Sequence, residues 1–248
     1  MKISALWQKV ALLSILIALA GLAVQAQPKQ NATSIRWLGQ SCFLITSKTG
    51  LSILTDPYAP QTGYAPLKPR ADSPAIVTVS HEHADHNATN EVQGKFEVVR
   101  GAGAKTIKGI PITGIAASHG TSPQGQALGH DTIFVIQVDG LRICHLGDLG
   151  TLLSAGQLKQ IGRVDILMIP VGGYYTIDAA KALKVIGQLK PRVVIPMHYP
   201  TPASKVAVLS GIGPFIKGQR NLVRQKGALT ISPQNLPKET TVYVLPYE

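Results

Sequence analysis

The hexapeptide His81-Glu82-His83-Ala84-Asp85-His86 contains four side chains of the types that bind divalent metal ions. It follows an apolar run over residues 75–79 that is typical of a buried strand. Because alternate residues of an extended segment point the same way, its first two histidines can bind one ion. A turn at its alanine would direct the aspartate and the last histidine toward a second ion. Imidazole and carboxylate ligands suit zinc, with manganese or iron as alternatives.

Six residues cannot complete two coordination shells, so further ligands are expected at the ends of other strands. His119 follows the strand-like run 110–117, Asp148 follows 143–146 and His198 follows 193–196. Loops at strand ends commonly carry the polar groups of functional sites. The sequence therefore predicts a metal site to which several strands contribute ligands at one sheet edge.

The elements that must position these residues are short runs rich in branched side chains, separated by turns such as Asp139-Gly140. Helical spacing predicts helices over 154–160 and from Asp178 to Pro191, with a third over 203–209. Strands are predicted over 35–38, 42–46, 51–55, 76–79, 96–99, 110–115, 132–138, 141–145, 164–169, 193–196, 229–232 and 241–245. Two successive sets of strands, with helices mostly after them, predict stacked sheets covered outside by helices in a single domain, 34–248.

The sequence resembles the metallo-β-lactamase superfamily of metal-dependent hydrolases, from Ile35 to about Tyr247. The resemblance rests on the hexapeptide, His119, Gly147-Asp148 and Pro196-Met197-His198, in the order of that family. It implies an α+β fold, a four-layer αββα sandwich of two mainly antiparallel sheets. More narrowly, residues 139–150, 165–167 and 170–173 resemble the branch that includes ascorbate-phosphate lactonases.

The same resemblance implies a ligand set for two divalent metal ions. One ion would be held by His81, His83 and His119, the other by Asp85, His86 and His198, and Asp148 would bridge the two. Asp56 would not bind a metal itself but would orient one of the ligand side chains. A hydroxide between the ions would attack the substrate, with Asp85 and Asp148 as the catalytic carboxylates. No Cys stands at the position of Asp148, which disfavours the best-known antibiotic-hydrolysing subclass.

Other polar and aromatic residues have simpler expected roles. A lone histidine on an apolar strand is usually a packed or hydrogen-bonded core residue, and this is expected of His130 and His145. Cys42 and Cys144 lie in apolar runs and are expected to be unpaired. Tyr174 and Tyr175 follow a predicted strand at the edge that carries the ligands, so we expect them to line a substrate pocket.

The distribution of charge along the chain indicates which kinds of molecule the protein could bind. The chain carries a formal net charge of +11, and residues 171–248 hold ten Lys or Arg against three acids. Such a surplus can attract nucleic acid, an anionic membrane or a small anionic substrate. Aromatic residues make up only 5% of the chain, which disfavours the stacking platforms of many single-strand nucleic-acid binders. A small anionic substrate is therefore expected.

The N-terminal segment predicts export. Lys2 and Lys9 precede the apolar run 10–24, and small residues stand before the expected cleavage point after Ala26. This pattern is typical of a secretory signal over 1–26, followed by a linker over 27–33. The mature chain would be periplasmic or secreted, and a membrane contact is expected only if the segment stays uncleaved.

Together these features predict an exported metal-dependent hydrolase that acts on an ester, lactone or phosphodiester bond. Two alternatives belong to other classes. One is an iron-dependent redox enzyme that uses the same ligands. The other is a non-catalytic basic module that binds nucleic acid or anionic lipid, although such a module would not require seven metal-binding residues.

Overall fold

A computed structural model of the protein describes residues 31–67, 73–122 and 124–247. The first of its two sheets has the strand order β13-β1-β2-β3-β4-β5 and the second β12-β14-β11-β10-β9-β8-β7-β6. The strands of the first sheet are β1 (Thr33–Gly39), β2 (Cys42–Thr46), β3 (Ser52–Thr55), β4 (Ile76–Val79), β5 (Glu97–Arg100) and β13 (Leu229–Ile231). Those of the second are β6 (Gly103–Ile107), β7 (Ile110–Thr121), β8 (Ala127–Val138), β9 (Leu141–His145), β10 (Ile166–Pro170), β11 (Val193–Met197), β12 (Leu222–Arg224) and β14 (Thr241–Val244).

Three α-helices lie wholly within the described residues: α1 (Ala155–Ile161), α2 (Ala179–Leu189) and α3 (Gly213–Ile216). Ser154 caps α1 in a capping box with Gln157, and the Asp178 side chain accepts from the Lys181 N–H at the start of α2. Three short 3₁₀ turns cover Pro60–Thr62, Thr89–Glu91 and Pro233–Asn235. The helices predicted over 154–160 and up to Pro191 are thereby confirmed.

Side-chain alternation along β2 explains why the first sheet is buried on both faces. Phe43 and Ile45 belong to the large core shared with the second sheet. Cys42 and Leu44 point the other way, into a smaller cluster on the outer face. Successive strand residues face opposite sides, so an unbroken apolar strand must be covered on both. The sheets therefore stack face to face, as the predicted sandwich requires.

Both sheets are mixed. Of the strand pairings in the described residues, six are antiparallel and six are parallel. The sheets therefore contain more parallel pairs than the expected, mainly antiparallel, arrangement. The parallel pairs include β3 with β4, and β10 with both of its neighbours, β9 and β11. Because parallel strands end at the same edge, this arrangement brings their following loops together.

The helix predicted over 203–209 is wrong. The Lys205 N–H donates to the Thr62 carbonyl at 2.9 Å, and the Val206 N–H donates to Ser204 Oγ at 3.2 Å. Serine and threonine side chains offer the backbone local partners that compete with helix formation. The strands β6 and β12, at the edges of the second sheet, are not among the predicted strands either.

Cys42 and Cys144 are both buried and form no disulfide within the described residues, as expected. Burial raises the pKa of the Cys144 thiol to about 12, which makes it an inert core residue. The predicted signal 1–26 lies outside the described residues, as does the linker up to residue 30. Within the described part of the chain, the helices are too short or too polar to cross a bilayer.

Candidate metal centre

The residues predicted as ligands gather at one edge of the two sheets. The hexapeptide follows β4, Asp148 lies in the loop after β9, and His198 comes directly after β11. His119 lies inside β7, beside the bulge that interrupts its pairing with β8, rather than after the strand end. The Gly150 N–H donates to the Ser118 carbonyl at 2.9 Å, which fixes the Asp148 loop against this end of β7.

The Oδ2 atom of Asp148 lies at the middle of the cluster. The Nε2 atoms of His86 and His198 are 3.2 Å from it, that of His119 is 3.3 Å away and that of His81 is 3.9 Å away. Four imidazoles thus surround one buried carboxylate oxygen.

The hexapeptide adopts the turn that its spacing predicts. His81 Nε2 and His83 Nδ1 lie 3.0 Å apart. The His86 N–H donates to the His83 carbonyl at 2.9 Å, and this turn places Asp85 Oδ2 3.5 Å from His86 Nε2. Both halves of the hexapeptide therefore lie at the Asp148 carboxylate, His81 from the first half and His86 from the second.

Three sets of side chains have potential ligand atoms within 4.8 Å of one another. They are His81 with His83 and His119, Asp85 with His86 and His198, and His81 with His86 and Asp148. The first two sets are the ligand groups that the sequence resemblance implies. The third joins them, so the structure brings all seven residues together.

Asp56 occupies the supporting position expected of it. It is fully buried, and its Oδ2 atom lies 2.8 Å from His86 Nδ1. The same oxygen accepts from Ser80 Oγ at 2.6 Å, while Oδ1 accepts from the Ser80 N–H at 2.8 Å. A carboxylate behind an imidazole fixes the orientation and tautomer of the ring, here with His86 Nε2 toward the cluster.

Two further supports were not predicted from the sequence. Asp131 Oδ1 accepts from the Asp148 N–H at 3.1 Å and lies 3.7 Å from His81 Nδ1. Gln40 donates from Nε2 to Asp85 Oδ2 at 2.9 Å, and its carbonyl accepts from the His198 N–H at 3.1 Å. Asp131 thereby supports the central carboxylate and one histidine of the first ligand set, whereas Gln40 supports two members of the second set.

Electrostatic interactions make the cluster a mixture of neutral and charged groups. Burial lowers the pKa of His81 to about 3, with repulsion from His86 adding to the effect. Burial also opposes the charged forms of Asp148 and His86, but opposite charges outweigh it: His198 and His86 act on Asp148, while Asp148 and Asp85 act on His86. The pKa of Asp148 is therefore held well below its usual range and that of His86 well above it.

Several buried atoms of the cluster have no hydrogen-bond partner among the described residues, including His86 Nε2, His119 Nε2 and Asp148 Oδ1. Buried polar atoms are normally paired, and an unpaired one is costly. Imidazole nitrogens and carboxylate oxygens are the ligands of zinc and related divalent ions. The donor set and its unpaired atoms therefore fit a bound metal.

A family model described as the beta-lactamase superfamily domain matches residues 34–198. The chain belongs to the beta-lactamase superfamily. This membership agrees with the two stacked sheets and with the ligand cluster at their shared edge.

Two relatives of this chain are named for an activity as well as a family. The chain is 31% identical to a UPF0173 metal-dependent hydrolase of Thermoplasma acidophilum over an alignment of 189 residues, and the match covers 67% of this chain and 83% of that protein. A UPF0173 metal-dependent hydrolase of Methanosarcina barkeri is 31% identical over 196 residues, with the same shares of the two chains.

Among solved structures, a candidate zinc-dependent hydrolase of the metallo-beta-lactamase superfamily from Thermotoga maritima is similar at 34% identity and a TM-score of 0.69. The match covers 86% of this chain and 98% of that one. The protein is therefore a metal-dependent hydrolase. None of these three names specifies a lactone substrate, so the narrower resemblance to the lactonase branch stays a prediction.

The two remaining histidines of this hydrolase differ from each other. His145 is fully buried, with Nε2 2.8 Å from the Ser41 carbonyl and Nδ1 accepting from the Gly147 N–H at 3.2 Å. It is the hydrogen-bonded core residue that was expected. The same expectation for His130 is wrong, because His130 is exposed on β8, where the strand extends past the core.

We expect acid to destabilise the fold through His145. Burial lowers the pKa of this imidazole, although Asp56 opposes the shift. Its stabilising contribution is therefore present above the unfolded pKa of about 6.5 and is lost as the pH falls toward the folded pKa. His145→Gln should reduce the slope of unfolding free energy against pH by up to about 1.4 kcal/mol per unit in this window.

Urea unfolding of chelator-treated protein between pH 5 and 8 measures this slope. The matched control is His130→Gln, which removes an exposed histidine from the neighbouring strand. An unchanged slope in His145→Gln would contradict a neutral core imidazole.

Three adjoining cavities open over the cluster. The central one, of about 250 Å³, is lined by His83, Asp85, His119, Leu128, Asp148, Tyr175 and His198. A cleft of about 820 Å³ shares His119 and Tyr175 with it and includes Tyr174. A second cleft, of about 490 Å³, shares His83 and Leu128. The tyrosines predicted to line a pocket thus lie beside the candidate ligands.

Proposed function

We propose that the protein is an exported, dinuclear hydrolase that cleaves an ester, lactone or phosphodiester bond in a small anionic molecule. The observation that carries the dinuclear part is the position of Asp148 Oδ2 between two ligand groups. Four imidazole Nε2 atoms lie within 3.9 Å of it. A single tetrahedral site could not use all seven ligand-type residues.

In this proposal each ion has its own protein ligands. His81, His83 and His119 hold one ion, and Asp85, His86 and His198 hold the other, with Asp148 shared between them. Zinc suits these ligands, and manganese or iron are the alternatives. When bound, such ions supply Lewis-acid polarisation of the scissile group and lower the pKa of water toward neutrality.

The carboxylates of the chain act as ligands and acceptors in this scheme. Burial alone would raise the pKa of Asp85, but His86 outweighs it and holds that pKa below the usual aspartate range. Asp85 also accepts a hydrogen bond from Gln40. An ionised, oriented carboxylate suits a metal ligand better than a proton donor, so the leaving group is expected to take its proton from water.

Two further parts of the proposal rest on the sequence. Export rests on the signal-like pattern of residues 1–26. The preference for an anion rests on the surplus of basic residues, since a positive field raises the encounter rate of anionic substrates. Cell fractionation of the full chain against a variant without residues 1–26 tests the first.

We expect the purified protein to hold about two divalent ions per chain and to lose hydrolysis when a chelator removes them. Elemental analysis by mass spectrometry measures the content. A panel of lactone, carboxylic ester, thioester, phosphodiester and β-lactam substrates, assayed before chelation and after metal is restored, identifies the bond. Tightly bound iron with a visible redox spectrum and no hydrolysis would favour the redox alternative. Retained nucleic-acid or lipid binding after chelation would favour the basic module.

A further inference from the structure

The cleft that includes Tyr174 lies directly beside the candidate metal centre. Its volume of about 820 Å³ falls within the range of small-molecule sites. Because His119 and Tyr175 line both this cleft and the central cavity, the two spaces are continuous. A molecule whose scissile bond lies at the centre can therefore extend one arm into the cleft.

An aromatic pair forms one wall of the cleft. Tyr174 and Tyr175 are each 36% exposed, and their rings meet edge to face with centroids 4.6 Å apart. Tyr174 has a φ of 61°, a left-handed conformation that bulky residues seldom adopt. A three-residue turn centred on Tyr174 holds it, since the Tyr175 N–H donates to the Gly173 carbonyl at 2.8 Å. Backbone strain of this kind clusters at ligand sites.

Three glycines are also part of the lining of the cleft. Gly120, Gly129 and Gly150 line the cleft without side chains. A Cβ atom on Gly150 would lie 2.0 Å from the His119 carbonyl oxygen, so the close approach of these segments requires glycine. These three positions therefore add no side-chain bulk to the lining of the cleft that also contains the two rings.

Lys181 supplies the positive charge of the cleft. Apart from His119 and His130, it is the one basic residue among the described residues that line this space. The lining acid, Asp178, is occupied as the helix cap, where its Oδ1 accepts from the Lys181 N–H at 2.8 Å. No ion pair to the Lys181 ammonium group is formed by the described residues. Its charge is therefore available to a ligand.

We propose that this cleft binds the arm of the substrate away from the scissile bond, and that this arm carries an aromatic ring and a terminal oxyanion. The ring packs against Tyr174 and Tyr175, and the oxyanion pairs with Lys181. This inference rests on the proposed function, because it takes the metal centre as the place of the scissile bond. It assigns to Lys181 a role in substrate selection.

Binding of two matched probes tests the proposal. The ketone 4-(3-oxobutyl)benzoate carries the ring and the oxyanion but no ester, lactone or phosphodiester bond that could be cleaved, while its para-carboxamide has the same shape without the charge. We expect calorimetric titration of the metal-loaded protein to show about tenfold tighter binding of the carboxylate, as a charge-assisted hydrogen bond would give. Lys181→Gln should remove this preference and leave the carboxamide unaffected.

Two further variants separate charge from packing. Lys184→Gln is the matched control, because Lys184 is exposed on the same helix and does not line the cleft. It should bind both probes as the wild type does. Tyr174→Leu should weaken both probes by a similar factor, since the aromatic contact is common to them.

Equal binding of the two probes by the wild type, binding of neither, or an unchanged preference in Lys181→Gln would overturn the proposal. A preference lost equally in Lys184→Gln would assign the effect to the general field of the surface and would also overturn it. Binding is measured apart from turnover. A protein that hydrolyses the substrate panel but shows no probe preference keeps the proposed function, whereas probe selectivity without any metal-dependent hydrolysis contradicts the proposed function alone.

Discussion

Asp148→Asn is expected to lower kcat/KM by about 100-fold or more and to reduce the metal content below that of the wild type. The Asp148 carboxylate lies between both ligand groups, and Asn keeps its shape while removing the charge that faces four imidazoles. Metal ions contribute several kcal/mol to a hydrolytic transition state, and each 1.4 kcal/mol corresponds to about tenfold in rate.

The variant also makes a prediction that does not depend on metal. Asp148 raises the pKa of His86, so removal of its charge should lower that pKa, as NMR titration of the chelator-treated protein would measure. Glu82→Gln is the matched control, because Glu82 is an exposed acid inside the hexapeptide and belongs to none of the ligand sets. Full metal content and activity in Asp148→Asn would contradict the shared-ligand role.

The residues that could be predicted from sequence are those with a local signal. The hexapeptide concentrates four ligand-type side chains in one short segment, where spacing alone indicates a metal site. Asp148 and His198 each follow an apolar run, so the rule that loops after strands carry polar groups finds them. Helix α2 was predictable because the Asp178 cap and an apolar periodicity agree on its bounds.

Asp131 and Gln40, the two supporting residues that were not predicted from the sequence, have no such local signal. Asp131 lies near the start of the core-facing part of β8, a strand that runs antiparallel to β7 and β9, so a rule about strand ends overlooks it. Gln40 lies in the turn between β1 and β2, where a polar residue is ordinary. Their contacts join residues 17 and 45 positions apart in the chain, and only the folded arrangement brings those residues together.

The order and direction of the strands could also be predicted only in part from the sequence. Hairpin signals such as Asp139-Gly140 predict the antiparallel pairing of β8 with β9, which the structure contains. The parallel pairs β3 with β4 and β10 with β11 depend on long connections whose course short-range patterns do not encode. The shared sheet edge that gathers the ligands arises largely from those parallel pairs.

Gly147→Ala is expected to destabilise the protein by about 2 to 5 kcal/mol, the sum of a left-handed backbone cost and an overpacking cost. Gly147 has a φ of +53°, and a Cβ atom there would lie 2.2 Å from Asp131 Oδ1 and 2.7 Å from Ser80 Cβ. Asp131 and Ser80 are both buried, so neither can move away freely. Displacement of Asp131 would also disturb its hydrogen bond with the Asp148 N–H.

Gly50→Ala separates the two costs. Gly50 also has a positive φ, of +86°, but a Cβ atom there meets nothing within 4 Å. This variant should lose only the backbone contribution, about 1 to 2 kcal/mol, and keep its metal content. Urea unfolding and elemental analysis of both variants provide the comparison. The prediction fails if Gly147→Ala loses no more stability than Gly50→Ala and keeps its metal content. In that case the position of Asp131 would not depend on glycine at residue 147, and the contact of Asp131 with the Asp148 loop would have no positioning role.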